Sequence, residues 1–222
     1  MKKSFLRSLA ATATLLGALC VPAFAAENTP VLKPDDSLVR LVEGNKRFVT
    51  GSTTHPDQST ERRAQLAEGQ HPFAIVLACA DSRLSPELIF DEGLGDLFVI
   101  RNAGNLLDDH VIASIEYAVE HLHVPLIVVL GHTKCGAVTA AVAGGELPGH
   151  LPSIAESLAP AVTMAKKKPG DAVDNAVRIS ARLSTAALAG MEPIIGEAVK
   201  AGKVKVVAAR YDIATGQVDI LP

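Results

Sequence analysis

The sequence predicts a single α/β domain with a central, mainly parallel β-sheet flanked by helices. Two apolar runs, residues 73–78 and 126–130, have the length and the β-branched content of strands that are buried on both faces. Helical patterns separate these runs from each other and from shorter apolar runs, and this β-α-β alternation is typical of parallel sheets. A chain of 222 residues that is 48% hydrophobic can bury one core of this size.

The first 25 residues have the pattern of a secretory signal peptide and are not expected to belong to the fold. Residues 1–7 are basic, residues 9–21 are apolar, and Ala23-Phe24-Ala25 provides a small-x-small cleavage pattern. The apolar run is shorter than the ~20 residues that a membrane-spanning helix needs. We therefore expect a periplasmic or secreted protein with no membrane anchor after processing, in which residues 26–222 form one domain.

The charge of the chain argues against a nucleic-acid partner. The formal net charge is -3, and removal of the signal peptide would take away Lys2, Lys3 and Arg7 and leave -6. An acidic protein repels a polyanion, so we predict no role in nucleic-acid binding.

Helical periodicity and capping residues predict two helices before the first strand. Residues 37–49 form a helix capped by Asp35-Asp36, and residues 60–68 form a shorter helix that Thr60 caps. The apolar face of the first helix carries Leu38, Leu41, Val42, Phe48 and Val49. A face of this width needs a partner surface.

Beyond the strand at residues 73–78, prolines, caps and glycines divide the chain into alternating elements. Ser85 and Pro86 begin a short helix that ends near residue 90, and Pro125 separates a helix at residues 108–122 from the strand at 126–130. Further helices are predicted at residues 136–143, 153–167, 171–189 and 192–201. Further strands are predicted at residues 97–100, 204–208 and 218–221.

Residues with metal-ligand chemistry follow the two longest predicted strands. The segment at 79–83 reads Cys-Ala-Asp-Ser-Arg, and the segment at 131–136 reads Gly-His-Thr-Lys-Cys-Gly. Because parallel strands end at the same edge of a sheet, Cys79, His132 and Cys135 can meet there. Two thiolates and an imidazole are ligands that zinc prefers, and they leave a fourth position for water or a carboxylate.

Two alternatives remain open at this point for the same residues. Cys79 and Cys135 are the only cysteines left after removal of the signal peptide, and an even pair in an oxidising compartment is often a disulfide. His132, Asp81 and Arg83 are neighbours that a disulfide does not need, so we favour the metal. Asp81 and Arg83 could form a plain salt bridge, but beside zinc ligands we favour a functional pair, with Asp81 as the nearest carboxylate for the metal.

The ligand motifs and several others, in the same order along the chain, resemble the β-class carbonic anhydrases, and the leader suggests an exported bacterial member. The additional motifs are Gly44-Asn45-x-x-Phe48, Gly95-Asp96-Leu97-Phe98, Arg101-Asn102-Ala103-Gly104-Asn105, Ile115-Glu116-Tyr117-Ala118, and Tyr211-Asp212 with Thr215-Gly216. The resemblance covers most of residues 26–222. It implies one Zn²⁺ per chain and a homodimer or homotetramer in which the N-terminal helix packs on a partner and active sites lie at the dimer interface.

The resemblance also implies roles for individual residues. Asp81 would either ligate zinc or pair with Arg83 and accept a hydrogen bond beside the metal. The substrate pocket would be lined by Gln70, Phe98, Ala103, Tyr117 and Gly136.

Zinc chemistry by itself leads to the same reaction. Zinc lowers the pKa of a bound water so that hydroxide exists near neutral pH, and hydroxide adds to carbon dioxide to give bicarbonate and a proton. We therefore predict a zinc lyase, a carbonic anhydrase. Two alternatives are a related zinc hydrolase acting on carbon disulfide-like molecules, which would differ in pocket access, and a non-catalytic zinc-binding protein, against which Asp81 and Arg83 argue.

One expectation about regulation follows from the resemblance. Some bacterial members of the family hold bicarbonate at a non-catalytic site built from a tryptophan, an arginine and a tyrosine. Arg101 matches the arginine and Tyr211 is a plausible match to the tyrosine, but Val76 stands at the tryptophan position. We therefore expect Arg101 to serve the dimer interface or a structural pair, and Asp81 to pair with Arg83 at neutral pH.

Overall fold

The computed structural model describes residues 32–222, and the predicted signal peptide at residues 1–25 lies outside the described residues. Within residues 32–222, the strands are β1 (Ala74–Cys79), β2 (Leu97–Asn102), β3 (Leu126–His132), β4 (Lys205–Tyr211) and β5 (Val218–Leu221). They form one sheet in the order β2-β1-β3-β4-β5. The first four strands are parallel and β5 is antiparallel to β4. The predicted mainly parallel sheet is therefore confirmed.

The helices are α1 (Pro34–Val49), α2 (Thr60–Leu66), α3 (Pro86–Ile89), α4 (Asp109–Glu120), α5 (Gly136–Ala143), α6 (Leu151–Ala165), α7 (Ala172–Ala189) and α8 (Ile194–Lys200). One face of the sheet packs against α1, α3, α5 and α6, and the other face packs against α4 and α8. Helix α7 contributes side chains to the apolar core on both faces. Among the described residues, no helix is both long and apolar enough to cross a membrane.

The structure moves the predicted starts of three helices by two residues or more and corrects the cap of a fourth. Helix α1 begins at Pro34 with Lys33 as N-cap, because proline suits the first turn and needs no hydrogen-bond acceptor; Asp35 and Asp36 lie inside that turn. Helix α2 is capped by Ser59, whose hydroxyl accepts a hydrogen bond from the Arg62 N–H at 3.1 Å. Helix α6 begins two residues earlier than predicted, at Leu151, and helix α8 begins two residues later than predicted, at Ile194.

The register of the sheet sets the position of the site. Ala78 pairs with Arg101 of β2 on one side and with Leu130 of β3 on the other, so these three strands end at the same level. Strands β1 and β3 are buried along their whole length. The polar segments that follow β1, β2 and β3 therefore meet at one edge of the sheet.

Helix α1 docks onto its own chain through a small and polar face. A Cβ atom on Gly44 would lie 1.8 Å from the Phe90 carbonyl oxygen, so only glycine allows this approach. The buried Asn45 amide donates to the carbonyls of Ile89 at 3.0 Å and Gly216 at 2.8 Å, and accepts from the Val218 N–H at 2.9 Å. These bonds tie α1 to α3 and to the turn between β4 and β5.

Only part of the predicted apolar face of α1 packs against the core of the chain. Leu41 is buried, and Leu38 and Phe48 pack against the core. Val42 and Val49, however, are 48% and 43% exposed. The single chain therefore leaves part of the apolar surface of α1 uncovered.

Candidate metal centre

Three metal-ligating side chains meet at the carboxyl edge of the sheet. Cys79 is the last residue of β1, His132 is the last residue of β3, and Cys135 is the N-cap of α5. All three are buried, and their ligand atoms lie within 4.8 Å of one another. Lys134 makes this convergence possible, because its backbone φ of 54° bends the chain sharply between His132 and Cys135.

The His132 ring is oriented to bind a metal through one nitrogen. Its Nδ1 lies 2.9 Å from the Thr133 carbonyl oxygen, which can only accept a hydrogen bond, so Nδ1 carries the proton. Its Nε2 is buried and has no hydrogen-bond partner among the described residues. A buried, unpartnered nitrogen with a free lone pair is what a zinc-ligating histidine presents, and a carbonyl on the other nitrogen is the usual way to hold it.

The two sulfurs are close but not bonded. Cys79 and Cys135 are free thiols, and their Sγ atoms lie 4.0 Å apart, about twice the ~2.05 Å of a disulfide bond. Contact with Cys135 lowers the pKa of Cys79, and the N–H of Gly104, 3.3 Å from the Cys79 Sγ, acts in the same direction. Contact with Cys79 and burial raise the pKa of Cys135, so both thiolates coexist only if a cation lies between them.

The geometry and the donor set fit zinc. Zinc–sulfur bonds of about 2.3 Å in a tetrahedral site put two sulfurs about 3.8 Å apart, close to the separation observed here. Two thiolates and one neutral imidazole are soft ligands of the kind that zinc selects. The Cys79-His132-Cys135 centre is therefore a zinc site, with Zn²⁺ as the cofactor of the chain.

Asp81 and Arg83 form a two-point ion pair beside this centre. The guanidinium Nε and a terminal nitrogen of Arg83 donate to the two Asp81 carboxylate oxygens at 2.9 and 2.7 Å, and the Arg83 N–H donates to Oδ1 at 3.0 Å. These hydrogen bonds hold the pKa of Asp81 well below its usual range. Arg83 also donates to the Lys134 carbonyl at 3.3 Å, so it links the two segments that carry the ligands.

The segment after β2 contacts the first ligand segment at several points. Arg101 donates to the carbonyls of Cys79 at 3.0 Å and Asp81 at 2.8 Å. The Ala80 N–H donates to the Asn102 carbonyl at 2.9 Å. Gly104, at a φ of 86° that favours glycine, directs its N–H to the Cys79 sulfur.

The predicted pocket residues fall into two groups. Ala103 follows β2 and Gly136 follows Cys135, so both lie at the edge of the sheet that carries the metal centre. Phe98 pairs in register with Ile75, four residues before Cys79, which is about 13 Å along a strand. The Tyr117 ring lies 6.3 Å from the Phe98 ring, and the exposed Gln70 precedes β1. A single chain therefore does not bring Gln70, Phe98 or Tyr117 to its own Cys79, and their predicted role needs a second chain.

Two of the contacts that the sequence did not predict reach the metal ligands themselves. The Thr133 carbonyl orients His132, and the Gly104 N–H contacts the Cys79 sulfur. Both use backbone atoms, which every residue carries, so the residue types give no signal. The glycine at position 104 hinted only at an unusual backbone conformation.

Comparison with known proteins places the chain in a family. A family model described as carbonic anhydrase matches residues 74–218. Carbonic anhydrase 2 of Mycobacterium tuberculosis is 43% identical over 192 residues, covering 85% of this chain and 93% of the relative. The carbonic anhydrase of Mycolicibacterium smegmatis is 42% identical over 184 residues, covering 81% and 89%.

Solved structures agree with this relationship. The structure of the β-carbonic anhydrase CcaA is 29% identical, with a TM-score of 0.67 over 83% of this chain and 95% of that chain. A structure from a study of two tetrameric β-carbonic anhydrases of Sordaria macrospora is 27% identical, with a TM-score of 0.65 over 84% and 97%. With its parallel sheet, its zinc ligands at the strand ends and these relatives, the chain belongs to the β-class carbonic anhydrases.

Proposed function

We propose that the chain performs its family's reaction, the reversible hydration of carbon dioxide to bicarbonate and a proton, at the Cys79-His132-Cys135 centre with Asp81 and Arg83 beside it. The observation that carries this assignment is the buried Nε2 of His132, which has no hydrogen-bond partner in residues 32–222 and lies close to two free thiols. When bound, zinc lowers the pKa of water and so supplies hydroxide near neutral pH.

In this proposal, Asp81 orients the reacting water. Its lowered pKa keeps it ionised at neutral pH, where a carboxylate only accepts hydrogen bonds. Oδ1 receives two hydrogen bonds from Arg83 and Oδ2 receives one, which leaves acceptor capacity on Oδ2. Asp81 would then accept a hydrogen bond from the reacting water, and Arg83 would keep the carboxylate from binding the metal.

A second copy of the chain would complete the substrate pocket. Gln70, Phe98 and Tyr117 lie away from the metal centre of their own chain, and Tyr117 is 47% exposed. Strand β2 is at the edge of the sheet, and α1 leaves valines exposed. An open strand edge and exposed apolar side chains both favour association, so a homodimer, or a homotetramer built from two dimers, is the proposed assembly.

Export to the periplasm or beyond the cell is part of the same proposal. Its support is the basic, apolar and small-residue pattern of residues 1–25. Carbon dioxide crosses membranes without a carrier whereas bicarbonate is charged, so an exported enzyme would set the balance between the two outside the cytoplasm.

Metal analysis combined with stopped-flow carbon dioxide hydration tests the function. The purified protein should carry about one zinc per chain, and His132→Ala and Cys135→Ser should lose both zinc and activity because each removes a ligand. The exposed His150 offers a matched control, since His150→Ala should keep both. A chain that hydrates carbon dioxide without metal, or that holds zinc and acts on carbon disulfide alone, would contradict the proposal.

A further inference from the structure

Arg101 contacts backbone carbonyls on both sides of Ala80, between a zinc ligand and its neighbouring carboxylate. Its Nε donates to the Cys79 carbonyl at 3.0 Å, and a terminal nitrogen donates to the Asp81 carbonyl at 2.8 Å. Among the described residues, Arg101 forms no ion pair with a carboxylate. Within the described chain, the structural partners of Arg101 are therefore backbone carbonyls and not a carboxylate.

The two carbonyls that Arg101 binds lie where the strand ladder ends. The β1–β2 pairing stops at Cys79 and Asn102, and the backbone then continues to Asp81 without a further pairing. The Ala80 N–H and the Cys79 sulfur are held by Asn102 and Gly104 of the same neighbouring segment. Of the three residues Arg101, Asn102 and Gly104, Arg101 alone uses its side chain in these contacts, so its contacts are the ones that a substitution can remove.

Arg101 is exposed. Its substitution can therefore change the position of the groups that it binds without much change in the stability of the fold. Water can replace its hydrogen bonds to the two carbonyls, so its loss should cost little folding free energy. Water cannot hold the two carbonyls at a set separation, whereas the planar guanidinium can. The expected consequence is a less well-defined position of Asp81 relative to Cys79.

We propose that Arg101 is a positioning residue for the reaction: through the carbonyls of Cys79 and Asp81 it holds the Asp81 carboxylate at its working distance from the metal centre. This inference rests on the proposed function. Arg101 binds neither a metal ligand side chain nor the Asp81 carboxylate, so it acts through the backbone alone. Lysine would not substitute well, because its single ammonium lacks the two separated, fixed donors.

Two variants and two readouts test the proposal. Arg101→Ala removes both donors, and Arg101→Lys keeps the charge. Both variants should bind zinc, because Cys79, His132 and Cys135 remain, and kcat should fall by about 10- to 100-fold, the usual range for residues that support a metal site. The visible absorption spectrum of the cobalt-substituted protein, which reports the ligand geometry without turnover, should change in both. Arg63→Ala, at an exposed arginine of α2, should match the wild-type protein in rate and spectrum.

Chemical rescue distinguishes a positioning role from a structural one. Millimolar guanidinium should restore part of the rate and the original cobalt spectrum to Arg101→Ala, and methylammonium at the same ionic strength should not. Wild-type rates and spectra in both variants would overturn the proposal. A loss of activity that accompanies unfolding or loss of the metal, and that guanidinium does not rescue, would overturn it too. A zinc-loaded wild-type protein with no hydration activity would refute the proposed function instead, while the cobalt spectra would still report on Arg101.

Discussion

At the scale of single residues, the site is held together by side chains that contact more than one segment. Arg83 binds both oxygens of Asp81 and also the carbonyl of Lys134, which lies between the other two ligands. One guanidinium therefore joins the segment after β1 to the segment after β3. Its loss should release Asp81 and loosen the contact between the two segments.

Arg83→Ala should abolish most of the hydration activity while zinc content stays unchanged. Without its partner, the Asp81 carboxylate is free to take the fourth ligand position of the metal, and a reduction in kcat of at least about 100-fold is expected from the loss of a preorganised group of this kind. Metal analysis and stopped-flow hydration across the pH range measure both quantities. Asp81→Asn should also lower the rate, since it removes the acceptor for the water. Near-full rates in both variants at every pH would mean that the pair is only a salt bridge.

At the scale of elements, α1 packs against the rest of the chain through ion pairs and a close backbone contact as well as through apolar side chains. Arg40, Gly44 and Arg47 lie on one stripe of the helix at i, i+4 and i+7. Arg40 pairs with the buried Glu92 and stacks over the Phe73 ring at 4.0 Å, while Arg47 pairs with the buried Asp91 at 2.5 Å. The chain after α3 therefore supplies buried carboxylates to the inner face of α1.

Asp91 also ties down the loop that follows α1. Its carboxylate accepts hydrogen bonds from the N–H and hydroxyl of Thr54 and from the N–H of His55. Burial raises the pKa of Asp91, but the bonds from Arg47, Thr54 and His55 outweigh burial and hold that pKa well below its ordinary value. A carboxylate with a lowered folded-state pKa stabilises the fold above its unfolded pKa and loses that effect as the pH falls.

Asp91→Asn should therefore destabilise the protein at neutral pH by about 2 to 3 kcal/mol, because it leaves Arg47 unpaired and replaces an acceptor by a donor. The difference in unfolding free energy between wild type and variant should shrink as the pH falls below about 4, the ordinary pKa of an aspartate. Urea unfolding at a series of pH values measures this difference. Metal loss in acid should affect both proteins alike and so should not change the difference. A difference that does not change with pH would contradict the charge-based explanation.

At the scale of the whole molecule, a single chain exposes apolar side chains and an open strand edge. Val39, Val42 and Val49 form an exposed stripe on the side of α1 that faces away from the core, at 54%, 48% and 43% exposure. The open edge of β2 and the exposed Tyr117 are further parts of this surface. A second chain packed against α1 would cover the valines.

Val42→Glu should weaken assembly and, with it, activity. A charge in the middle of the stripe opposes burial against a partner, so light scattering after gel filtration should show a smaller particle. Zinc content should stay the same, since the ligands come from one chain. Leu183→Glu, at an apolar side chain of α7 that is 39% exposed, is the matched control and should keep the rate. Full activity in a monomeric Val42→Glu protein would show that Gln70, Phe98 and Tyr117 are not needed from a partner.

The fold class and the set of metal ligands could both be inferred from residue types and their spacing. Buried parallel strands are recognisable from short, continuous apolar runs, and such strands end at one edge of the sheet, so Cys79, His132 and Cys135 could be placed together before any coordinates were known. The start of α3 at Pro86, with Ser85 as its N-cap, was predicted from local signals, because caps and prolines act within a few residues.

Long-range contacts in the folded chain, by contrast, set which side chains support that centre and which lie too far away. The outward direction of Val42 depends on the rotation of α1, which Gly44 and Asn45 set through contacts with residues 44 to 173 positions away in the chain. The bonds of Arg101 to the Cys79 and Asp81 carbonyls depend on the pairing of β2 with β1. The same register holds Phe98 away from Cys79. Long-range pairing and helix rotation follow from the sum of many weak contacts, so no local pattern of residue types reveals them.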